Sequence, residues 1–278
     1  MADITFDRQR AEQAFDEFVR ENRVLFAIVF PLVGAILLLA STESMLPPVL
    51  SFNPLLVLVG VVAMRLPLIA GLVTLVNRKA ASALVILTAY AYSIEYIGVS
   101  TGVPYGSFSY SVGLGPLLFE KIPLGLPIFF LPLVVNSYLL CLLLFGERAE
   151  RGLFRRSVAI ITVVLMDLVL DPGAVGLGFW TYGGGQYYGV PLSNYFGWLV
   201  SATIAVTIFD WGFELADIRK RLQQCEFMLD TLVSFVILWG IVNIYFGNLV
   251  PVVLAGLLGL GLMKADRVDY TIRDVSPL

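Results

Sequence analysis

Long apolar runs, most of them close to the length of a membrane span, constrain this chain more than any other feature. An α-helix needs about 20 apolar residues to cross the hydrocarbon core of a bilayer. Only 14% of the 278 residues are charged, whereas a soluble domain carries about 25%, and the mean hydropathy is +0.86. These values exclude a soluble globular enzyme. They predict an all-α polytopic membrane protein, a bundle of about eight transmembrane helices.

Basic residues assign the two faces of the membrane. All but two of the 18 Lys and Arg residues lie before the first span or after every second span; the exceptions are Arg65, within a span, and Lys121, in an opposite loop. Basic residues favour the cytoplasmic side, so both termini are predicted to be cytoplasmic. The charged N-terminal segment has no pattern of a cleavable signal peptide. The predicted spans are 24–40, 54–76, 80–98, 124–145, 157–171, 192–213, 228–246 and 248–263.

This topology divides the chain into a cytoplasmic N-terminal segment (1–23), a single transmembrane helical domain (24–263) and a cytoplasmic C-terminal tail (264–278), in a multi-pass protein of the cell membrane. Two long outer loops, 99–123 and 172–191, are rich in Gly, Pro and aromatic residues and nearly free of charge. A solvated loop would be more polar. Both loops are therefore predicted to cover the bundle mouth as a lid or site wall; an interfacial aromatic belt is the alternative.

Several kinds of chemistry are excluded by residues that the chain lacks. It contains no histidine, which rules out haem ligation by His, His-based di-iron sites and a His general base. Its two cysteines, Cys141 and Cys225, are far apart and form no metal motif. None of the four lysines lies in mid-span, so a retinal Schiff base is excluded.

Ionisable side chains within the spans are the candidates for function, because burying a charge in hydrocarbon costs several kcal/mol. Glu95 lies near the outer end of the third span, and Asp167 and Asp171 lie four residues apart at the outer end of the fifth, on one helix face. Arg65 lies near mid-span and Asp210 nearer the cytoplasmic side. A carboxyl group in an apolar pocket favours its neutral form and can act as a general acid.

Aromatic faces near these carboxyl groups stabilise cations. The combination suits a reaction that protonates an alkene and passes through a carbocation. The aromatic candidates are Tyr90, Tyr92, Tyr96, Tyr105, Tyr110, Trp180, Tyr187 and Tyr188.

Each polar candidate also has a structural explanation. Glu95 could form a buried ion pair with Arg65, and Asp171 could cap the end of its span. Asp210 could reach the cytoplasmic interface, and Asn194 could link two helices.

A prenyl diphosphate transferase would need a second acidic cluster to hold Mg²⁺ and diphosphate, and the sequence shows only one acidic pair.

Two long motifs resemble the membrane carotenoid hydratase family. The first is EYIGVSTGVPYGSFSY, residues 95–110, followed by Gly115-Pro116. The second runs from Asp167-x-x-x-Asp171-Pro172 through Phe179-Trp180 to YGVPxxNxxGW, residues 188–198. The similarity covers roughly residues 80–215, and the two motifs in this order are more specific than either alone.

The resemblance implies addition of water, without a cofactor, to a terminal isoprenoid double bond of an acyclic carotenoid. Bacterial members hydrate lycopene or γ-carotene type ends. Members in halophilic archaea convert bisanhydrobacterioruberin through monoanhydrobacterioruberin to bacterioruberin. The scarcity of lysine and the acid-leaning N-terminal segment favour an archaeal member.

The roles of the residues follow from their chemistry rather than from the resemblance. We expect Asp167 or Glu95 to protonate the alkene, and Asp171, with Asn194, to orient water and take up its proton. The expected substrate contacts are Tyr96, Tyr105, Tyr110, Trp180, Tyr188 and Arg65. No metal site is predicted.

The partners expected besides water are the long carotenoid and membrane lipid, not nucleic acid. Other membrane enzymes of the carotenoid pathway are further candidate partners. Two alternatives stay open: a carotenoid end-group cyclase, in which an internal double bond traps the cation, and a proton-coupled transporter of lipid or pigment.

Overall fold

Helices carry most of residues 2–270, the part of the chain that the computed structural model describes. Residues 271–278 of the predicted tail lie outside the described residues. The ten α-helices of the described range are α1 Ala2–Glu21, α2 Phe30–Thr42, α3 Pro54–Val73, α4 Arg78–Thr101, α5 Leu126–Phe145, α6 Gly152–Gly176, α7 Leu192–Gly212, α8 Leu215–Gln224, α9 Asp230–Tyr245 and α10 Leu249–Lys264. A π-helical turn, Leu25–Val29, leads into α2, and 3-10 turns at Gly146–Glu150 and Glu226–Leu229 follow α5 and precede α9.

Seven helical stretches within the described range are long and apolar enough to cross a bilayer. Their outward faces are apolar too, as Ile36, Val85 and Ile161 show, each more than half exposed. Soluble proteins rarely expose contiguous apolar surface of this extent. The predicted helical, multi-span architecture is thereby confirmed in outline. The eighth predicted span corresponds to α10, an apolar helix of 16 residues.

Local signals explain where several helices start and stop. The Asn53 side chain accepts hydrogen bonds from the first backbone amides of α3, and Asn77 does the same for α4. Gly102 ends α4 in the left-handed region (φ 75°) that glycine adopts without strain. The predicted fifth span ended at residue 171, but α6 continues through Pro172 to Gly176. Proline inside a membrane helix is tolerated where neighbouring groups satisfy the freed backbone.

The two outer loops pair with each other, a feature that the all-α prediction omitted. β1 (Phe108–Tyr110) runs antiparallel to β4 (Trp180–Tyr182), with Tyr110 opposite Trp180 and Phe108 opposite Tyr182. A second pair joins β2 (Leu117–Leu118) to β3 (Ile122–Pro123). Strands of two or three residues have too little periodicity to be visible in the sequence.

The bundle has two chemically different ends. α5 is buried along most of its length. At one end, which we call the basic end, ion pairs join segments far apart in sequence: Arg221–Asp16 at 2.6 Å, Arg219–Glu150 at 2.6 Å and Lys79–Glu214 at 2.9 Å. The opposite end carries the β1–β4 sheet, and we call it the loop end.

Candidate active site

An apolar cavity lies beneath the β1–β4 sheet at the loop end. Its empty volume is about 930 Å³ with its open mouth included, within the range of small-molecule sites. Side chains from α4, α5, α6, α7, α9 and the sheet line it. Among them are two acidic side chains, Glu95 and Asp171, and the amide of Asn194. We call this space the carboxyl cavity.

One amide joins the two aspartates of α6. Asn194 lies in the first turn of α7 and is buried. Its Nδ2 donates to Oδ2 of Asp167 at 3.1 Å and to Oδ2 of Asp171, while its Oδ1 accepts from the Tyr182 hydroxyl at 3.1 Å. Asp171 faces the cavity, whereas Asp167 lies one helical turn deeper and is completely buried, with its Oδ1 unpartnered within the described residues.

The third carboxyl group comes from a different helix. Glu95 of α4 accepts a hydrogen bond from the hydroxyl of Tyr110, which β1 carries into the cavity. Burial raises the pKa of the Tyr110 phenol well above its usual range, and the nearby Glu95 charge raises it further. Burial, followed by the charges of Asp171 and Asp167, raises the pKa of Tyr182 in the same way. Both phenols are therefore neutral hydrogen-bond donors at physiological pH.

The three carboxyl groups have no cationic partner within residues 2–270. Among the described residues, no Lys or Arg nitrogen lies within 4.0 Å of Glu95, Asp167 or Asp171. Like charges that are close together in an apolar site cannot all be ionised. The arrangement therefore holds protons as well as charges, which is what an acid and a base acting on one substrate require.

Aromatic rings also line the carboxyl cavity. Trp198 stacks on Phe130 with ring centroids 5.6 Å apart and contacts Tyr105 at 6.2 Å. The Tyr105 hydroxyl lies 2.7 Å from Oγ of Ser201. A Cβ added at Gly197 would lie 2.7 Å from the Tyr105 ring, so glycine is required for that ring to enter the cavity wall. Such faces suit a developing positive charge.

Not every predicted contact reaches the cavity. The structure places Tyr105, Tyr110 and Trp180 in its wall. Tyr96 is exposed beside Phe119 and Lys121, and Tyr188 packs on Tyr187 near the start of α10. Arg65 is buried between α3 and α5, where its Nε donates to the carbonyl of Ile128 at 3.4 Å.

Two of the purely structural roles considered for the polar candidates do not match the geometry. Arg65 and Glu95 form no ion pair within the described residues, and Asp171 caps no helix, because α6 continues to Gly176. Asp210 instead has a structural environment at the basic end. It pairs with Arg155 at 2.6 Å and accepts from the Tyr138 hydroxyl at 2.5 Å.

Sequence reasoning missed several lining residues. Tyr182 follows Trp180 by two positions, the spacing that puts both side chains on one face of a strand, so a strand prediction would have found it. Trp198 stands within the second motif but was not assigned a contact. Trp239 comes from α9, and no local pattern distinguishes it from an ordinary core residue.

Comparison with known proteins now adds to this geometry. The family described as "Carotenoid biosynthesis protein" matches residues 52–262. The chain belongs to that family. A bisanhydrobacterioruberin hydratase of Haloarcula japonica is 56% identical to it over 264 residues, which cover 95% of this chain and 90% of the relative. No solved structure matches. Membership of this carotenoid biosynthesis family confirms the prediction drawn from the two motifs, and its matched region contains all three carboxyl groups of the site.

Proposed function

We propose that this protein is a membrane hydratase that adds water to the two terminal isoprenoid double bonds of bisanhydrobacterioruberin, giving monoanhydrobacterioruberin and then bacterioruberin. The observation that carries the proposal is the carboxyl cavity: Glu95 and Asp171 face an apolar, aromatic space without a cationic partner among the described residues. The name of the haloarchaeal relative indicates the same substrate.

Protonation of the alkene begins the proposed reaction. Glu95 is the better candidate for the acid, because it faces the cavity while Asp167 lies behind Asp171. The Glu95 proton adds to the less substituted alkene carbon, and a tertiary carbocation forms at the other. A positioned general acid of this kind contributes about 10²–10⁴-fold to a rate. The rings of Tyr105 and Trp180 shield the cation from other nucleophiles.

Water capture completes the addition. Asp171 holds a water molecule against the cation and accepts its proton as the C–O bond forms. Asn194 keeps Asp171 and Asp167 together, so the deeper carboxyl group can share that proton. Return of a proton from Asp171 to Glu95 restores the starting state. The net change is one water added per double bond, and the sequence of steps requires no metal or organic cofactor.

The same proposal includes a membrane topology. α10 would be an eighth span, and its 16 residues give a length of roughly 24 Å, which local thinning of a bilayer core of about 30 Å accommodates. Both termini and the basic end would then face the cytoplasm. The carboxyl cavity would lie towards the outer leaflet of the cell membrane.

Expression in a host that accumulates the anhydro carotenoid tests this function. Chromatography and mass spectrometry of the pigments should show a gain of one water and then of two. An isomeric pigment of unchanged mass would indicate an end-group cyclase instead. Unchanged pigment in the presence of correctly inserted protein would contradict both enzymes and favour a transporter.

A further inference from the structure

A second cavity adjoins the carboxyl cavity on the side of α2 and α3. It has an empty volume of about 670 Å³, its open mouth included, and lies between these two helices. On α2 it extends from Phe30 to Ser41, which is a length of roughly 16 Å at the rise of an α-helix. We call it the lipid groove.

The lipid groove is open to the hydrocarbon side, and the described residues that line it present no free polar side-chain group. Leu37, Leu50 and Leu56 at its edge are each at least 38% exposed. Its two polar members are already satisfied. The Ser41 hydroxyl donates to a carbonyl of α2 and accepts from the chain preceding α3, and Asn53 caps α3 while donating to the carbonyl of Val49. A ligand of this groove must therefore be apolar along its length.

Three aromatic side chains stand between the groove and the carboxyl cavity. Phe129, Phe179 and Trp239 line both spaces. Phe179 also meets Phe52 of the groove edge in an edge-to-face contact at 6.0 Å. Rotation of these rings is therefore the movement that would join the two cavities into one continuous path.

We propose that the lipid groove binds the polyene chain of the substrate while the terminal double bond occupies the carboxyl cavity, and that Phe129, Phe179 and Trp239 close around the chain where it passes between them. This inference rests on the proposed function. A rigid conjugated rod cannot fold into the carboxyl cavity, so the part of the molecule that does not react must lie outside it, and the aromatic wall shared with the groove is one boundary that it can cross. The groove is apolar, elongated and continuous with that wall.

Gly60 offers a clean way to fill the groove. It lies on the α3 side, and a Cβ added there meets nothing within 4 Å. Gly60→Phe should therefore occupy the groove without disturbing the carboxyl cavity, and Gly60→Ala should leave most of the space free. Gly256→Phe is the matched control, because Gly256 is exposed on α10 and equally unobstructed.

The first measurement is binding, made in a Glu95→Gln background so that substrate accumulates unreacted. A tenfold loss of affinity corresponds to the loss of about two buried methylene groups. The amount of pigment retained per molecule of purified protein should therefore fall at least tenfold when Gly60→Phe is added. Adding Gly60→Ala should lower it less than Gly60→Phe does, and adding Gly256→Phe should change it little. The second measurement is turnover with Glu95 intact, where Gly60→Phe should raise KM by a similar factor.

Three results would overturn the inference. The first is that correctly inserted Gly60→Phe retains as much pigment as the protein without this change. The second is that Gly256→Phe loses as much pigment as Gly60→Phe. The third is that mass spectrometry finds phospholipid rather than pigment in the groove. If Gly60→Phe does not insert, Gly34→Phe fills the groove from α2, where the added Cβ meets only Leu238 at 3.5 Å. A wild-type protein that binds pigment but never hydrates it would contradict the proposed function and leave the groove supported.

Discussion

Buried carboxyl groups occur at both ends of the bundle, but their partners differ. At the basic end, Arg23 makes two hydrogen bonds to the fully buried Asp230, at 2.9 and 3.0 Å, and Asp210 pairs with Arg155 at 2.6 Å. At the loop end, Glu95 and Asp171 accept hydrogen bonds only from neutral phenol and amide donors among the described residues.

The difference separates a structural role from a chemical one. A carboxylate that faces a guanidinium keeps its charge and fixes the position of two chain segments. A carboxyl group that meets only neutral donors can lose or gain a proton without leaving a buried cation unpaired. The same side chains therefore hold the bundle together at one end and are available for proton transfer at the other.

The largest effect should come from Glu95→Gln. This change keeps the shape of the side chain but removes the proposed acid, and hydration should fall by about 10²–10⁴-fold. The thermal midpoint of the purified protein should change little, because no ion pair is lost. Pigment assays on membranes with equal amounts of inserted protein measure the rate. Hydration within a factor of two of wild type would remove Glu95 from the mechanism.

Asp230→Asn makes the same chemical change at the basic end and should have the opposite consequence. It removes the charge from the main partner of the buried Arg23 and leaves Glu226, at 3.2 Å, as its charged partner; weakening these charged hydrogen bonds costs about 1.5–3 kcal/mol. Less protein should insert and its thermal midpoint should drop, while the turnover of the folded fraction stays near wild type. A stable Asp230→Asn protein with impaired turnover would break the distinction between the two ends.

Asp167→Asn should give an intermediate loss. Asp167 is linked to the cavity through Asn194, whose amide also donates to Asp171, so its removal weakens proton sharing without removing a group that lines the cavity. We expect kcat to fall about tenfold, the effect of one altered buried hydrogen bond, with KM unchanged. A loss as large as that of Glu95→Gln would instead identify Asp167 as the acid.

Tyr182→Phe should have the smallest effect. It removes the donor to Asn194, a hydrogen bond of about 0.5–1.5 kcal/mol, and the rate should fall a few-fold. Because burial holds the pKa of Tyr182 above its usual range, this phenol stays protonated as the pH rises, so the variant and the wild type should have pH–rate profiles of the same shape on the alkaline side. A difference in shape there would show that Tyr182 titrates during turnover.

Hydropathy was sufficient to predict most of the fold. Seven of the predicted spans correspond to helices long enough to cross a bilayer, since apolar length is a property of each segment alone. The continuation of α6 through Pro172 and the pairing of Phe108 with Tyr182 were not predicted. Both depend on contacts between segments far apart in sequence, which local patterns do not encode.

The candidate site could be predicted only in part, and the roles of its residues stay predictions. Glu95 and Asp171 were singled out because an ionisable residue inside a span is rare whatever surrounds it. That no described Lys or Arg residue pairs with them was visible only in the structure, because the sequence order of the spans makes Arg65 a plausible partner. The depth of Asp167 behind Asp171 likewise depends on how α6 and α7 pack.

Hydration in D₂O tests the central claim most directly. If a carboxyl group of the cavity protonates the alkene carbon and water captures the cation, each added water leaves one deuterium bound to carbon after the pigment is returned to H₂O. We predict one such deuterium per water in the wild-type product and neither label nor water with Glu95→Gln. A hydrated product without carbon-bound deuterium, or full labelling with Glu95→Gln, would contradict the account.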